Sequence, residues 1–198
     1  MLQLVKFFMV IKVAMFAFVF ITFFSCNTRD KKVNLAINPK KEVVINNLAG
    51  KVYFFAPKLD TLQCKSYGEC DCCASTILFL DNTNFLTIYH CESDEEIVKG
   101  TYQIKSDKVY LEYDTLKVVK EYNWEKEADT TGTVKEEYFI KTLNSESSKS
   151  ILKYLMCKEQ VCLQTEDEEK LYGTLNTETT LQEELQKLKD LGIWDKLK

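Results

Sequence analysis

From residue 42 to residue 174 the chain alternates apolar and polar positions with a period of two, in short runs broken by polar turns. The spacing predicts strands over 42–47, 51–57, 76–80, 84–90, 97–104, 108–113, 116–124, 134–141, 150–157, 160–165 and 170–174. The runs recur roughly every eight to twelve residues, and their Val, Ile, Tyr and Thr content suits pleated faces buried on one side. Asp81-Asn82-Thr83-Asn84 and Lys105-Ser106-Asp107 are turn formers at hairpin length. No helical pattern separates the strands, which disfavours a parallel sheet. The expected architecture is mainly β: an antiparallel meander of about eight to ten strands, closed or nearly closed into a barrel that leaves no exposed edges.

The period changes at both ends. Near the C-terminus Thr180 and Glu183 form a capping box, Leu181, Leu185 and Leu188 recur at helical spacing, and Gly192 stands where a left-handed cap belongs. This predicts one α-helix within 176–198, packed on the barrel and adding core area. At the N-terminus Lys6 and Lys12 precede the apolar run 13–24. A dozen residues rise only about 18 Å as a helix, against a hydrocarbon core of roughly 30 Å. The run therefore reads as the apolar part of a signal peptide over 1–25. An uncleaved anchor reaching back from it would carry Lys12, at a cost of roughly 2.5–3.5 kcal/mol near the bilayer centre.

Ser25 before Cys26 resembles a bacterial lipobox, with Phe23 in the place usually held by Leu. The resemblance implies that Cys26 is diacylated and becomes the first residue of an outer-membrane lipoprotein. Residues 26–41 then serve as a polar tether and 42–175 as the barrel domain. Arg29 is the only arginine, and Asn and Ile are frequent, a usage that resembles envelope proteins of Bacteroidota. No acidic run follows Cys26, so a periplasm-facing position is expected.

Charge narrows the partners. With the signal removed, 24 basic residues face 30 acidic ones, a net charge of −6. An acidic surface of this kind argues against nucleic acid, whose phosphates need a basic partner. The acidic runs 92–96 and 166–169 read as solvated turns, since neither has the alternating ligand spacing of a calcium loop. His90 is the only histidine, and neither a phosphate-binding glycine loop nor a nucleophile elbow is present. Adjacent strand residues point to opposite faces, so His90 cannot readily activate Cys91. No enzymatic activity is expected.

Cysteine carries the remaining chemistry. Beyond Cys26 there are seven: Cys64, Cys70, Cys72, Cys73, Cys91, Cys157 and Cys162. Export makes disulfides the default, and an odd number leaves at least one thiol over. A four-residue hairpin loop over 158–161 would set Cys157 opposite Cys162, so a local bridge is expected there. Cys64, Cys70 and Cys73 are further disulfide candidates. The alternative for the dense set is a soft-metal site for Cu(I) or zinc, built from Cys70, Cys72, Cys73, Cys91 and His90. A thiol-disulfide redox protein is a third reading.

Residues 68–113 resemble the N-terminal barrel of the NlpE-type envelope lipoproteins. Cys70 and Cys73 fall on that family's C-x-x-C, and Gly100-Thr101-Tyr102 with Asp107-Lys108-Val109 falls on its hairpin phrase, which also occurs in lipocalin-like domains. The Pro and Gly that border the family's C-x-x-C are missing, and Cys72 is additional. The resemblance implies a lipocalin-like barrel and, for the NlpE group, copper handling or envelope-stress sensing. The function expected first is a non-catalytic binding or structural module of the envelope. It would be held to the membrane by lipid, need no cofactor, and take a small apolar ligand or an envelope protein as partner.

Overall fold

The computed structural model describes residues 47–68 and 72–198, with Cys72 and Cys73 described through their backbone alone. The signal peptide, Cys26, the tether, the strand expected over 42–47 and Cys70 lie outside the described residues.

The alternating stretches form β1 (Val52–Ala56), β2 (Lys58–Asp60), β3 (Lys65–Tyr67), β4 (Cys72–Phe79), β5 (Asn84–Cys91), β6 (Asp94–Lys105) and β7 (Lys108–Tyr122). After the short helix α1 (Trp124–Ala128) come β8 (Tyr138–Asn144), β9 (Lys149–Cys157), β10 (Gln160–Thr165) and β11 (Tyr172–Leu175). Two helices, α2 (Leu181–Asp190) and α3 (Ile193–Lys196), end the chain. The hydrogen-bonded order β6-β5-β4-β1-β11-β10-β9-β7 closes through β6–β7 pairing into an antiparallel barrel. Its eight strands follow one another up and down in chain order, as the meander predicts. The β2–β3 and β8 segments are excursions from it.

Two departures from the expected strands shape the molecule. The runs 108–113 and 116–124 are one strand, β7, because a kink in its register is absorbed without ending the pairing. Its first half pairs with β9 from Lys108↔Lys153 to Glu112↔Lys149, and its second half pairs with β8 from Leu116↔Asn144 to Tyr122↔Tyr138. Strands β8 and β9 thus lie end to end along β7, and β8 falls three to four residues beyond the expected 134–141. The outer halves of β6 and β7, with β8 added along β7, form a flap at this end of the barrel, to which β5 stays paired as far as Cys91↔Asp94.

Inside the barrel, alternate residues from seven of its eight strands form one apolar cluster that includes Tyr53, Phe55, Ile77, Phe79, Phe85, Tyr102, Leu111, Tyr154 and Leu163. Edge-to-face contacts link Tyr53 with Phe79 at 6.0 Å, Phe79 with Tyr102 at 5.0 Å and Phe85 with Tyr113 at 5.1 Å between ring centroids. Leu48 plugs the lower end, and there the Tyr102 hydroxyl donates to the Asp81 carbonyl at 2.7 Å.

The outward faces are covered twice. Leu188, Ile193 and Leu197 of the C-terminal segment bury Val52, Leu78, Leu86, Ile88, Ile97 and Val118, so the expected helix packs on the barrel wall. Its capping box is formed, with Thr180 N donating to Glu183 Oε2 at 2.7 Å and Glu183 N to Thr180 Oγ1 at 3.3 Å. The Lys99 ammonium holds the last turn through the Leu197 carbonyl at 3.1 Å. On the opposite wall the β2–β3 hairpin folds back over the barrel. Ser66 Oγ donates to the Phe54 carbonyl at 2.7 Å and meets Thr174 Oγ1 at 2.9 Å.

Candidate site at the barrel mouth

Sulfur chemistry is distributed differently from the expected pattern. Cys157 pairs with Cys64, not with Cys162. The turn after β9 has two residues rather than four, so Cys157 faces Gln160 and Cys162 faces Leu155. Cys162 is a buried free thiol in a small outer cluster with Cys64, Cys157, Leu155 and Tyr172. Burial pushes that thiol up to about 11. The hairpin carries Cys64 along the barrel wall to the end of β9, away from the start of β4 at Cys72.

The start of β4, with Cys72 and Cys73, and the end of β5, with Cys91, belong to the other end, the mouth. In the β4–β5 ladder Cys72 is directly opposite Cys91, and a bulge at Cys73 restores the register at Ala74↔His90. Cys91 lines the mouth. His90 turns to the outer face, where Nε2 is 3.1 Å from Thr76 Oγ1 and Nδ1 is 3.7 Å from Glu95 Oε1. The His90 imidazole, with the Lys120 ammonium behind it, holds the Glu95 carboxyl below its ordinary range. The expected ligand set is therefore divided, with His90 engaged outside the barrel and Cys91 facing the mouth. Among the described residues no group of three or more His, Cys, Asp or Glu side chains converges as a metal site.

A cleft of about 380 Å³ opens at this mouth, beneath the flap. Its apolar walls are Tyr89, Val98, Tyr113 and Val119, the inward residues of β5, β6 and β7. Across its edge Lys117 Nζ meets Glu96 Oε1 at 2.6 Å. Asp94 anchors the flap by accepting from Tyr122 N at 2.9 Å. Burial, and after it the neighbouring Tyr113 phenol, pushes the Tyr89 phenol well above its usual value; the charges of Glu96 and Asp167 act in the same direction. Asp167 also raises the Tyr113 phenol, behind the larger effect of burial.

Directly below Tyr89 on the same inward row of β5, Thr87 is 1 % exposed, with its hydroxyl against the Tyr113 phenol. The flap extends the cleft upward. Register places Phe139 opposite Glu121 and Leu143 opposite Lys117, on the face that carries Val119. Both Phe139 and Leu143 are exposed there. Sequence reasoning did not find this site, since its residues come from separate strands and read individually as core positions. The signal was present only in the unusual length of the alternating stretch 108–124.

No family model, curated protein or solved structure matches this chain.

Proposed function

We propose that this chain is a lipid-anchored, non-catalytic binding module of the cell envelope, attached to the outer membrane through Cys26 and facing the periplasm, with its ligand site at the barrel mouth. The observation that carries the binding reading is the contrast between the two parts of the barrel. Large rings fill the axis below, whereas the mouth keeps an apolar-walled cleft of about 380 Å³. That volume lies in the range of small-molecule sites. A filled barrel of this size has no deep chamber for a long-chain lipid, so the ligand is small and held near the rim. The signal pattern and Cys26 support the anchor; more than one acyl chain makes attachment effectively permanent.

Two measurements test the reading. Metabolic labelling with an alkyne fatty acid should mark the wild type and leave Cys26→Ala unmarked; label on the variant would remove the anchor. Amide NMR of the detergent-solubilised chain with a small-fragment mixture should show shifts centred on Tyr89, Val98, Tyr113 and Val119. Shifts centred elsewhere would remove the mouth as the site.

The second reading is soft-metal handling of the NlpE type, and the register that sets Cys72 opposite Cys91 at the rim is what favours it. It expects Cu(I) or zinc to co-purify with the wild type and to be lost in Cys91→Ser. Equal metal content in the two proteins would exclude it.

A further inference from the structure

We infer that the mouth cleft selects a small organic cation, an ammonium group carried on a flat apolar body. This inference rests on the mouth being the binding site and adds the ligand's charge. Two tyrosines line the walls, Tyr89 with exposed ring surface and Tyr113 buried behind it, and an aromatic face attracts a cation through its quadrupole. The fixed charges favour the same sign. Asp94 and Glu96 line the cleft against Lys117 alone, and Asp167 acts on both phenols from the β10–β11 connection. Glu96 gives Lys117 one oxygen, Oε1, which leaves Oε2 to receive an incoming ammonium.

An anion would meet the opposite arrangement. Its carboxylate would have to displace Glu96 from Lys117 and remain beside Asp94, since the further cation on the flap face, Lys141 opposite Val119, is paired with Glu121. An uncharged ligand would use the walls and leave the carboxylates unaltered. Phe139 and Leu143 on the flap's inner face offer apolar surface to the body of the ligand above the rim.

The test uses three probes of one shape and different charge: 2-(2-naphthyl)ethylammonium, 2-(2-naphthyl)ethanol and 2-naphthylacetate. Each is titrated by calorimetry into the full chain in a maltoside detergent at neutral pH. The cation should bind at least tenfold more tightly than the carboxylate, with the alcohol between them. Glu96→Gln should cut cation affinity at least threefold and leave alcohol affinity within twofold. Tyr89→Leu, which keeps an apolar wall and removes the aromatic face, should act in the same sense. Circular dichroism and melting curves check that both variants remain folded. Equal binding of the three probes that still depends on Tyr89 would overturn the charge selectivity and leave the mouth site standing. Absence of binding by all three, or binding indifferent to both substitutions, would overturn the charge inference and the mouth reading together.

Discussion

Cys64, at the tip of the outer hairpin, is bonded to Cys157 at the end of β9, across 93 residues of sequence and with Cα atoms 5.7 Å apart. The bond fastens a cover of two very short strands to the barrel wall. Loop-closure entropy for a ring of this length corresponds to about 4–5 kcal/mol, reduced by any structure left in the unfolded chain. Cys64→Ala with Cys157→Ala should therefore lower the denaturant midpoint by an amount equivalent to several kcal/mol. Reductant should lower the wild-type midpoint by more than it lowers the double variant's. A peptide map without reduction should contain the Cys64–Cys157 pair; Cys157 recovered with Cys162 would refute it.

Two glycines in the wall face aromatic rings directly across a strand pair. Phe85 is opposite Gly100 and Phe55 is opposite Gly173. A Cβ on Gly100 would lie 2.3 Å from the Glu112 carbonyl oxygen and 2.7 Å from the Phe85 ring, and one on Gly173 would lie 2.4 Å from the Phe55 ring. The oxygen is backbone and cannot swing away. Gly100→Ala and Gly173→Ala should each cost about 1–3 kcal/mol by overpacking, with Gly100→Ala the more damaging. Urea unfolding of the two variants measures the difference, and a neutral Gly100→Ala would show that the β6–β7 register can yield.

These glycines show which parts of the fold the sequence carries openly. Phe85 and Gly100 sit in clean alternating runs, so most barrel strands and their antiparallel meander order followed from period two, whereas the short β2–β3 hairpin did not. The capping box at Thr180 and the leucine spacing after it defined the last helix for the same reason, since the information is local. What escaped was whatever depended on turns and on non-local register. Lys158 adopts a positive φ of 54° in a two-residue turn. That turn moves Cys157 opposite Gln160 and frees it for Cys64. The mouth was hidden likewise: Tyr89, Tyr113 and Val119 converge only once β7 is known to continue through residue 116.

The wall-packed helix is a separate source of stability. Leu188 is 3 % exposed and belongs to the cluster that covers Leu78, Leu86 and Ile97. Leu188→Ala removes buried methyl groups and opens a cavity against a sheet that cannot close it, a change that costs about 2–4 kcal/mol. Thr180→Ala removes only the cap and should cost about 1 kcal/mol. The two substitutions are remote enough in mechanism to add. Thermal melts should rank them in that order, and a larger effect at Thr180 would mean that helix formation, rather than packing, limits this face.

The last expectation concerns Cys162 and has a defined sign with pH. Its thiol is 1 % exposed, and burial raises it from an ordinary value of 9.0 to about 11. The folded chain therefore keeps its proton where the unfolded chain has already lost it. Stability from this group is complete below pH 9.0 and is lost progressively as pH rises through about 11. Cys162→Ala should carry a roughly constant packing loss at lower pH, and its stability should decline less steeply than the wild type's over that interval. The tyrosines that titrate in the same range are common to both proteins, so the difference between their urea curves at successive pH values reports the thiol together with its effect on the Tyr53 phenol. Native protein should also leave Cys162 unmodified by iodoacetamide at pH 8, since the reactive thiolate is scarce and shielded, and alkylation should appear on unfolding. Rapid alkylation of Cys162 in the folded chain, together with parallel pH profiles, would show that the thiol is not held neutral by the fold.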